Sequence, residues 1–256
     1  MKTVNDITIL KIGGSLITDK SSDFGSPQLN EIERICEEIS ICNKRLIIIH
    51  GAGSFGHPLA KKYNLKNTSN INGGFLTHES VKELNSLFVK QLNNKGSKAY
   101  SVNPLSNCIS KNGRIVEMFL DNILIMVEEG IIPVLHGDVV MDENLKVSVI
   151  SGDQITTFIA HKLKASRIGI GSFENGVLDS SGNTITTINT SNYQKVSEYI
   201  GPSESIDVTG GMLGKVKELL ELSRQTNTTS YIFNGRVPNN IREFLNGNNI
   251  GTKIEK

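Results

Sequence analysis

The chain has 256 residues, 38% hydrophobic and 21% charged, with a formal net charge of +1. This balance fits a globular fold with a sizeable core and excludes general electrostatic attraction to nucleic acid or membrane, so any anion site must be built locally. Cys36, Cys42 and Cys108 are odd in number and lack metal-type spacing, which argues against a disulfide framework or a zinc site.

Along the chain, ITILKI (7–12) is a β-branched run that stops at Gly13-Gly14 and reads as a buried strand. Pro27 opens a helical stretch in which Leu29, Ile32, Ile35, Cys36 and Ile39 recur at helical spacing, with Cys36 as a small core residue. RLIIIH (45–50) is a second strand, and a helix is expected from Thr77 to a closing Gly96. AYSVNP (99–104) reads as a strand, DNILIMVEEG (121–130) as a helix, IIPVLHGD (131–138) as a strand and MDENLKVSVI (141–150) as a hairpin. Ser151-Gly152-Asp153 caps a further helix, and RIGIGS (167–172) is the next strand. A strong helix (210–226), a strand (230–235) and a closing helix (239–247) complete the pattern. Strands alternating with helices imply an α/β fold with a mainly parallel sheet covered on both faces. The start, MKTVNDITILKIGGS, lacks the apolar region of a secretory signal, and no run is long enough to span a membrane; a reducing, cytoplasmic setting is expected.

The second strand runs into Gly51-Ala52-Gly53-Ser54-Phe55-Gly56, formally G-x-G-x-x-G. A dinucleotide turn should follow the first strand and be answered by an acidic residue about 20 positions on at a strand end. Here Glu79 lies in a helix start instead. The Walker pattern fails as well, since no Ser or Thr follows Lys215 and Thr209 stands where its first glycine should be. What remains is two glycine turns, KIGGSLITDK and HGAGSFGH, each ending a strand. The strands of a parallel sheet share one carboxyl edge, where glycine amides approach anions closely, so two turns can hold two phosphates face to face. Lys11, Lys20 and Lys215 accompany them, and Lys11 interrupts an apolar strand, where an ammonium needs an anionic partner.

KIGGSLITDK, HGAGSFGH, HGDVV, SGDQI, DVTGGMLGKV and NGRVPNNIREFLNGNNIGTKI occur in the order of the amino-acid-kinase family, and the chain resembles that family over most of its length. ITDK together with GSFGH resembles its isopentenyl phosphate branch; the fosfomycin kinases, with a similar histidine, are the nearest rival. The resemblance implies a three-layer αβα sandwich in one domain, with an acceptor-phosphate lobe (1–165) and a nucleotide lobe (166–256). It also implies ATP, Mg2+, a homodimer, and isopentenyl phosphate as the small-molecule acceptor, with no nucleic-acid or membrane partner. A phosphonate acceptor and a catalytically silent nucleotide-binding regulator are the alternatives.

By that resemblance Lys11 contacts the transferring group, with Gly13, Gly14, Ser15 and Gly53 as neighbouring ATP-phosphate donors. Lys20 is the transition-state lysine, and Gly210, Gly211 and Lys215 form the ATP-phosphate loop. Asp153 positions Lys11 and Lys215, or else is a plain helix cap. His57 binds the acceptor phosphate, which would favour its protonated form, with Gly51, Ala52, Gly56, Gly137 and Gly152 nearby. No residue is assigned as a metal ligand. Ser172 lies beside the nucleotide, where relatives carry Thr-Asp-Val-Asp-Gly and this chain has Ser172-Phe173-Glu174-Asn175-Gly176, so base and ribose contacts are expected to differ. His50 and His136 read as structural, and His78 and His161 as non-catalytic. Phe75, Leu76, Leu84, Leu87 and Phe88 either line a prenyl pocket or pack in the core.

Overall fold

The computed structural model describes residues 6–19, 25–42, 44–200 and 211–256. The chain begins with β1 (Thr8–Ile12), α1 (Gly14–Ile17), α2 (Leu29–Ser40), β2 (Leu46–His50), α3 (Gly53–Lys62) and α4 (Ile71–Asn94). It continues with β3 (Ala99–Ser101), α5 (Pro104–Asn107), β4 (Cys108–Lys111), β5 (Arg114–Met118), α6 (Asp121–Glu128), β6 (Ile132–His136), β7 (Asp138–Asp142) and β8 (Lys146–Ile150). Then come α7 (Gly152–Leu163), β9 (Arg167–Ser172), β10 (Thr187–Ile188), α8 (Tyr193–Tyr199), α9 (Gly211–Thr226), β11 (Thr229–Asn234), α10 (Asn240–Asn246) and β12 (Thr252–Ile254).

Eight strands form one sheet in the order β10-β12-β11-β9-β1-β2-β6-β3, parallel except where β11 meets β12. Every residue of β1 and β2 is buried, as expected of near-continuous apolar strands covered on both faces. Alternation along those strands splits the core in two. Ile9, Ile47 and Ile49 pack with Ile155 and Ile159 of α7 and Val216 and Leu219 of α9. Leu10, Ile12, Leu46 and Ile48 pack with Ile32 and Ile35 of α2, Leu84 and Phe88 of α4 and Phe244 of α10. The result is the αβα sandwich expected. Cys36 lies in the second core, and burial pushes its thiol up to about 12.

A second sheet, β5-β4-β7-β8, stands beside the N-terminal half of α4. Its β4–β5 hairpin, and also α8, β10 and β12, are absent from the elements expected from the sequence, which places a helix start at Pro58 where α3 begins earlier, at Gly53. The helix expected from Thr77 begins six residues earlier, at Ile71, where Asn70 caps it by accepting from the Gly73 amide at 2.9 Å. Gly73 and Gly74 lie inside this added first stretch, and Tyr63 and Val139 pack where their side chains would be. At α7 the cap is Ser151, whose hydroxyl accepts from the Gln154 amide at 3.1 Å; Asp153 follows in the first turn and is not the cap.

Candidate active site

The carboxyl edge of the large sheet is a stair of glycines. Gly235 donates its amide to Ser172, Gly13 to Gly171, and Gly51 to Ile12, each at 2.9 Å, and Gly137 donates to His50 at 3.0 Å. Each bond extends the parallel ladder one residue past the end of a strand, across β11, β9, β1, β2 and β6. Within this stair the turns after β1 and β2 touch main chain to main chain. A Cβ on Gly14 would lie 2.5 Å from the Gly53 nitrogen, and one on Gly51 would lie 2.6 Å from the Gly14 nitrogen. Gly53 has φ +52°, a conformation that favours glycine, and its neighbour Ser54 donates its amide to Thr18 Oγ1 at 3.0 Å. Ala52 has φ −70°, so its side chain is accommodated without strain.

Two helices therefore start beside each other, α1 at Gly14 and α3 at Gly53, and the first-turn amides of a helix have no intrahelical acceptor. Gly14, Ser15 and Gly53 lie in those first turns. A third start, α7, brings Gly152 against the end of β2, where a Cβ on it would lie 3.2 Å from the His50 carbonyl oxygen. A Cβ on Gly137 would in turn lie 3.1 Å from the Gly152 nitrogen. Three helix N-termini converging on one edge favour negative charge there.

Lys11 is buried in β1, and its ammonium meets Asp153 Oδ1 at 2.9 Å. The other carboxylate oxygen of Asp153 lies 3.8 Å from the ammonium of Lys215, on the first turns of α9. One carboxylate thus bridges two lysines that lie 204 positions apart in sequence. Thr156, Thr157 and Ile170 line a small void of about 10 Å³ beside Asp153 and Lys215.

His57 is exposed on α3, one helical turn after Gly53 and on the same face. Because α3 starts at Gly53, Pro58 lies inside the helix rather than at its start. Gly56 is a packing position, since a Cβ there would meet Ala52 and Val81. Gly211 is buried at the start of α9, while Lys20 and Gly210 lie outside the described residues. Ser172 ends β9, and its hydroxyl donates to the Glu174 carbonyl at 3.1 Å. Next to it Phe173 lies 4.5 Å beneath the Arg236 guanidinium, a contact with no signal in the sequence. Leu84 and Phe88 belong to the core, Leu87 packs against it, and Phe75 and Leu76 are exposed. A small apolar cluster of Leu65, Val139 and Val147, with Ala60 and Tyr63, lies between α3, α4 and the second sheet.

Under this edge runs a buried polar seam. His50 and His136 stack with centroids 5.6 Å apart, and burial pushes them down to about 4 and about 3. His78 on α4 holds Asp138 at 2.9 Å, and that bond raises its pKa. His161, on α7, is exposed. Among the described residues no three His, Cys, Asp or Glu side chains group as a metal cage. No helix among them is long and apolar enough to cross a membrane.

Residues 6–234 match the model of the amino acid kinase family. Isopentenyl phosphate kinase of Methanocaldococcus jannaschii is 34% identical over 97% of this chain and 98% of its own length. The enzyme of that name from Methanothermobacter thermautotrophicus is 36% identical over 96% and 98%. An X-ray structure of isopentenyl phosphate kinase superimposes with a TM-score of 0.79 at 34% identity, covering 97% of this chain and 99% of that one. The stair of glycines, the bridged lysines and this likeness over nearly the whole length lead to one assignment: the chain belongs to the amino acid kinase family.

Proposed function

We propose that the protein transfers the γ-phosphoryl group of ATP to isopentenyl phosphate, giving isopentenyl diphosphate and ADP. The observation that carries this reading is the main-chain contact between the two glycine turns, beside a carboxylate that bridges Lys11 and Lys215. The names of the relatives over nearly full length support the same acceptor.

A phosphate monoester has its second ionisation near about pH 6, so the attacking oxygen needs no general base. The obstacle is repulsion. Two unit charges about 4 Å apart repel by roughly 4 kcal/mol at an effective dielectric of about 20, and each phosphate carries more than one. Catalysis is then positioning and charge neutralisation. In this reading the first-turn amides at Gly14 and Ser15 and the Lys11 ammonium take the transferring group, with Gly13 and Gly53 beside them. Lys215 and Gly211, with Gly210, hold the ATP phosphates, and Asp153 orients both lysines. Ala52, Gly152 and His57 receive the acceptor phosphate, with Gly51 and Gly137, whose amides are used in the sheet ladder, giving it close approach, and Lys20 acts on the transition state by its motif alone. The apolar cluster around Leu65, Val139 and Val147 receives the prenyl tail.

The acceptor lobe is residues 1–165 and the nucleotide lobe 166–256, joined through the β1–β9 pairing. Mg2+ would come with ATP and supply charge neutralisation at the phosphate oxygens; the described residues group no three His, Cys, Asp or Glu side chains as a cage for it. The exposed edge strand β3, with Tyr100, Phe119 and Ile125 exposed nearby in sequence, supports a homodimer, which sedimentation would test. Three free cysteines support a cytoplasmic location.

An acceptor panel with an ADP readout tests the whole reading. Isopentenyl phosphate is expected to drive ADP release in the presence of ATP and Mg2+. Release only with fosfomycin, or with a carboxylate or carbamate, would reassign the substrate. ATP binding without turnover of any acceptor would mark a regulator.

A further inference from the structure

His50 takes no part in the transfer as described, yet its ring is wholly buried directly beneath the acceptor turn. Its Nδ1 lies 3.0 Å from the carbonyl oxygen of Gly51, and its Nε2 lies 3.0 Å from Nδ2 of Asn85. A carbonyl only accepts, so Nδ1 carries the proton and Nε2 accepts from the amide. The rest of the network agrees. Asn85 Oδ1 accepts from Ser101 Oγ at 2.6 Å, and Nδ2 also reaches the Val134 carbonyl at 3.4 Å, which fixes the orientation of the amide. The rings of Phe88 and His136, each 5.6 Å away, hold the imidazole between them.

We propose that His50 is a positioning residue: it holds the Gly51 carbonyl inward and thereby turns the Ala52 amide N–H outward, toward the acceptor phosphate. The inference rests on the acceptor reading above. The chain has no cis peptide bonds among its described residues, and in a planar trans peptide the C=O and N–H point in opposite directions. A carbonyl drawn down to a buried ring therefore sends the next N–H the other way. The device is needed because glycine at position 51, which contact with Gly14 requires, leaves that peptide free to rotate. At the end of β6 His136 places Nδ1 3.2 Å from the Gly137 carbonyl, while its Nε2 lies 3.4 Å from Asn103 Oδ1, so that ring is not fixed as His50 is. Each histidine is the last residue of its strand and precedes a glycine of the stair.

Three substitutions separate the role from simple packing. The side-chain nitrogen of Asn falls near Nδ1 of His, that of Gln falls near Nε2, and Phe keeps only the ring. His50→Asn is expected to keep kcat/KM for isopentenyl phosphate within about tenfold of the parent, whereas His50→Gln and His50→Phe lose roughly 10²-fold, as for a misplaced donor. The KM for ATP should move little in all three. Equal activity of the Phe and Asn variants overturns the proposal. Since a buried substitution can unfold the chain, imidazole-nitrogen NMR on the unsubstituted protein gives a second readout. A neutral Nδ1–H tautomer for His50 at neutral pH is expected, and an Nε2–H tautomer overturns the proposal. A parent that does not phosphorylate isopentenyl phosphate defeats the acceptor reading and with it the role of the Ala52 amide. A working parent with the wrong tautomer defeats the positioning role alone.

Discussion

At β1 and β2 the edge of the sheet is made of main chain: Gly14, Gly51 and Gly53 approach so closely that no side chain fits between them. At β9 and β11 the same glycine stair carries side-chain contacts as well. Phe173 lies under Arg236 while remaining 47% exposed, and Asn234 donates to Asn175 at 3.0 Å. The phosphates of any nucleotide are alike, and backbone amides suffice to hold them. A base is held through replaceable side chains, such as those of Phe173, Glu174 and Asn175. The first region should be intolerant of change and the second adjustable.

The sharpest break in that contrast would come from Gly14→Ala. Its Cβ cannot sit 2.5 Å from the Gly53 nitrogen, so the two turns must part. Turnover is expected to fall by about 10²–10³-fold, with about 1–3 kcal/mol lost in urea unfolding from overpacking. A parental rate would show that the main-chain contact is incidental. Lys11→Met comes next, with an expected loss in kcat of about 10²-fold or more. Among the described residues it leaves the Asp153 carboxylate paired with the Lys215 ammonium, 3.8 Å away. Restoration of activity by Lys11→Arg would argue against a role that depends on the compact ammonium.

These two sites were legible in the sequence for a physical reason. A lysine inside an apolar strand and a glycine pair at its end are both costly unless used, so each stands out locally. Elsewhere the deciding partner is remote. The helix is expected from Thr77 rather than Ile71 because helix propensity is local and the two glycines before Thr77 disfavour it, whereas Tyr63 and Val139 pack where the side chains of Gly73 and Gly74 would be. Asp153 reads both as a helix cap and, by resemblance, as the carboxylate that positions two lysines; its neighbours do not decide between the two, because those lysines lie 142 and 62 positions away in sequence. The β4–β5 hairpin is short and half-exposed, so its alternation is weak. His50, Asn85 and His136 come from three separated elements, and only the fold brings them into one seam.

Smaller effects sharpen the comparison. His57→Ala removes an exposed ring, so the protein should fold normally while kcat/KM for the acceptor falls by about 10²-fold. An unchanged acceptor constant would remove His57 from the site. Arg236→Ala should leave kcat intact and raise the KM for ATP by about two- to fivefold, the scale of an exposed cation–π contact. A loss in kcat instead would mean that the side-chain end of the edge is as demanding as the main-chain end.

The smallest expected effect concerns pH. The Asp138 bond raises the pKa of His78 above 6.5, against the opposing effect of burial, with Glu79 favouring the charge and Lys82 disfavouring it. Burial raises the pKa of Asp138, partly offset by His78 and by the amides of Val139 and Leu105. Protonated His78 stabilises the fold fully below pH 6.5, and this contribution is lost as pH rises through its folded pKa. Unfolding free energy should therefore decline on the alkaline side, with a slope of at most about 1.4 kcal/mol per pH unit for one proton. Urea titrations from about pH 6 to about pH 9 on the parent and on His78→Phe would isolate this limb. The variant should be flatter over that range, because the residue whose proton drives the change is gone. Parallel profiles would mean that the buried pair pins α4 to β7 without linking the fold to pH.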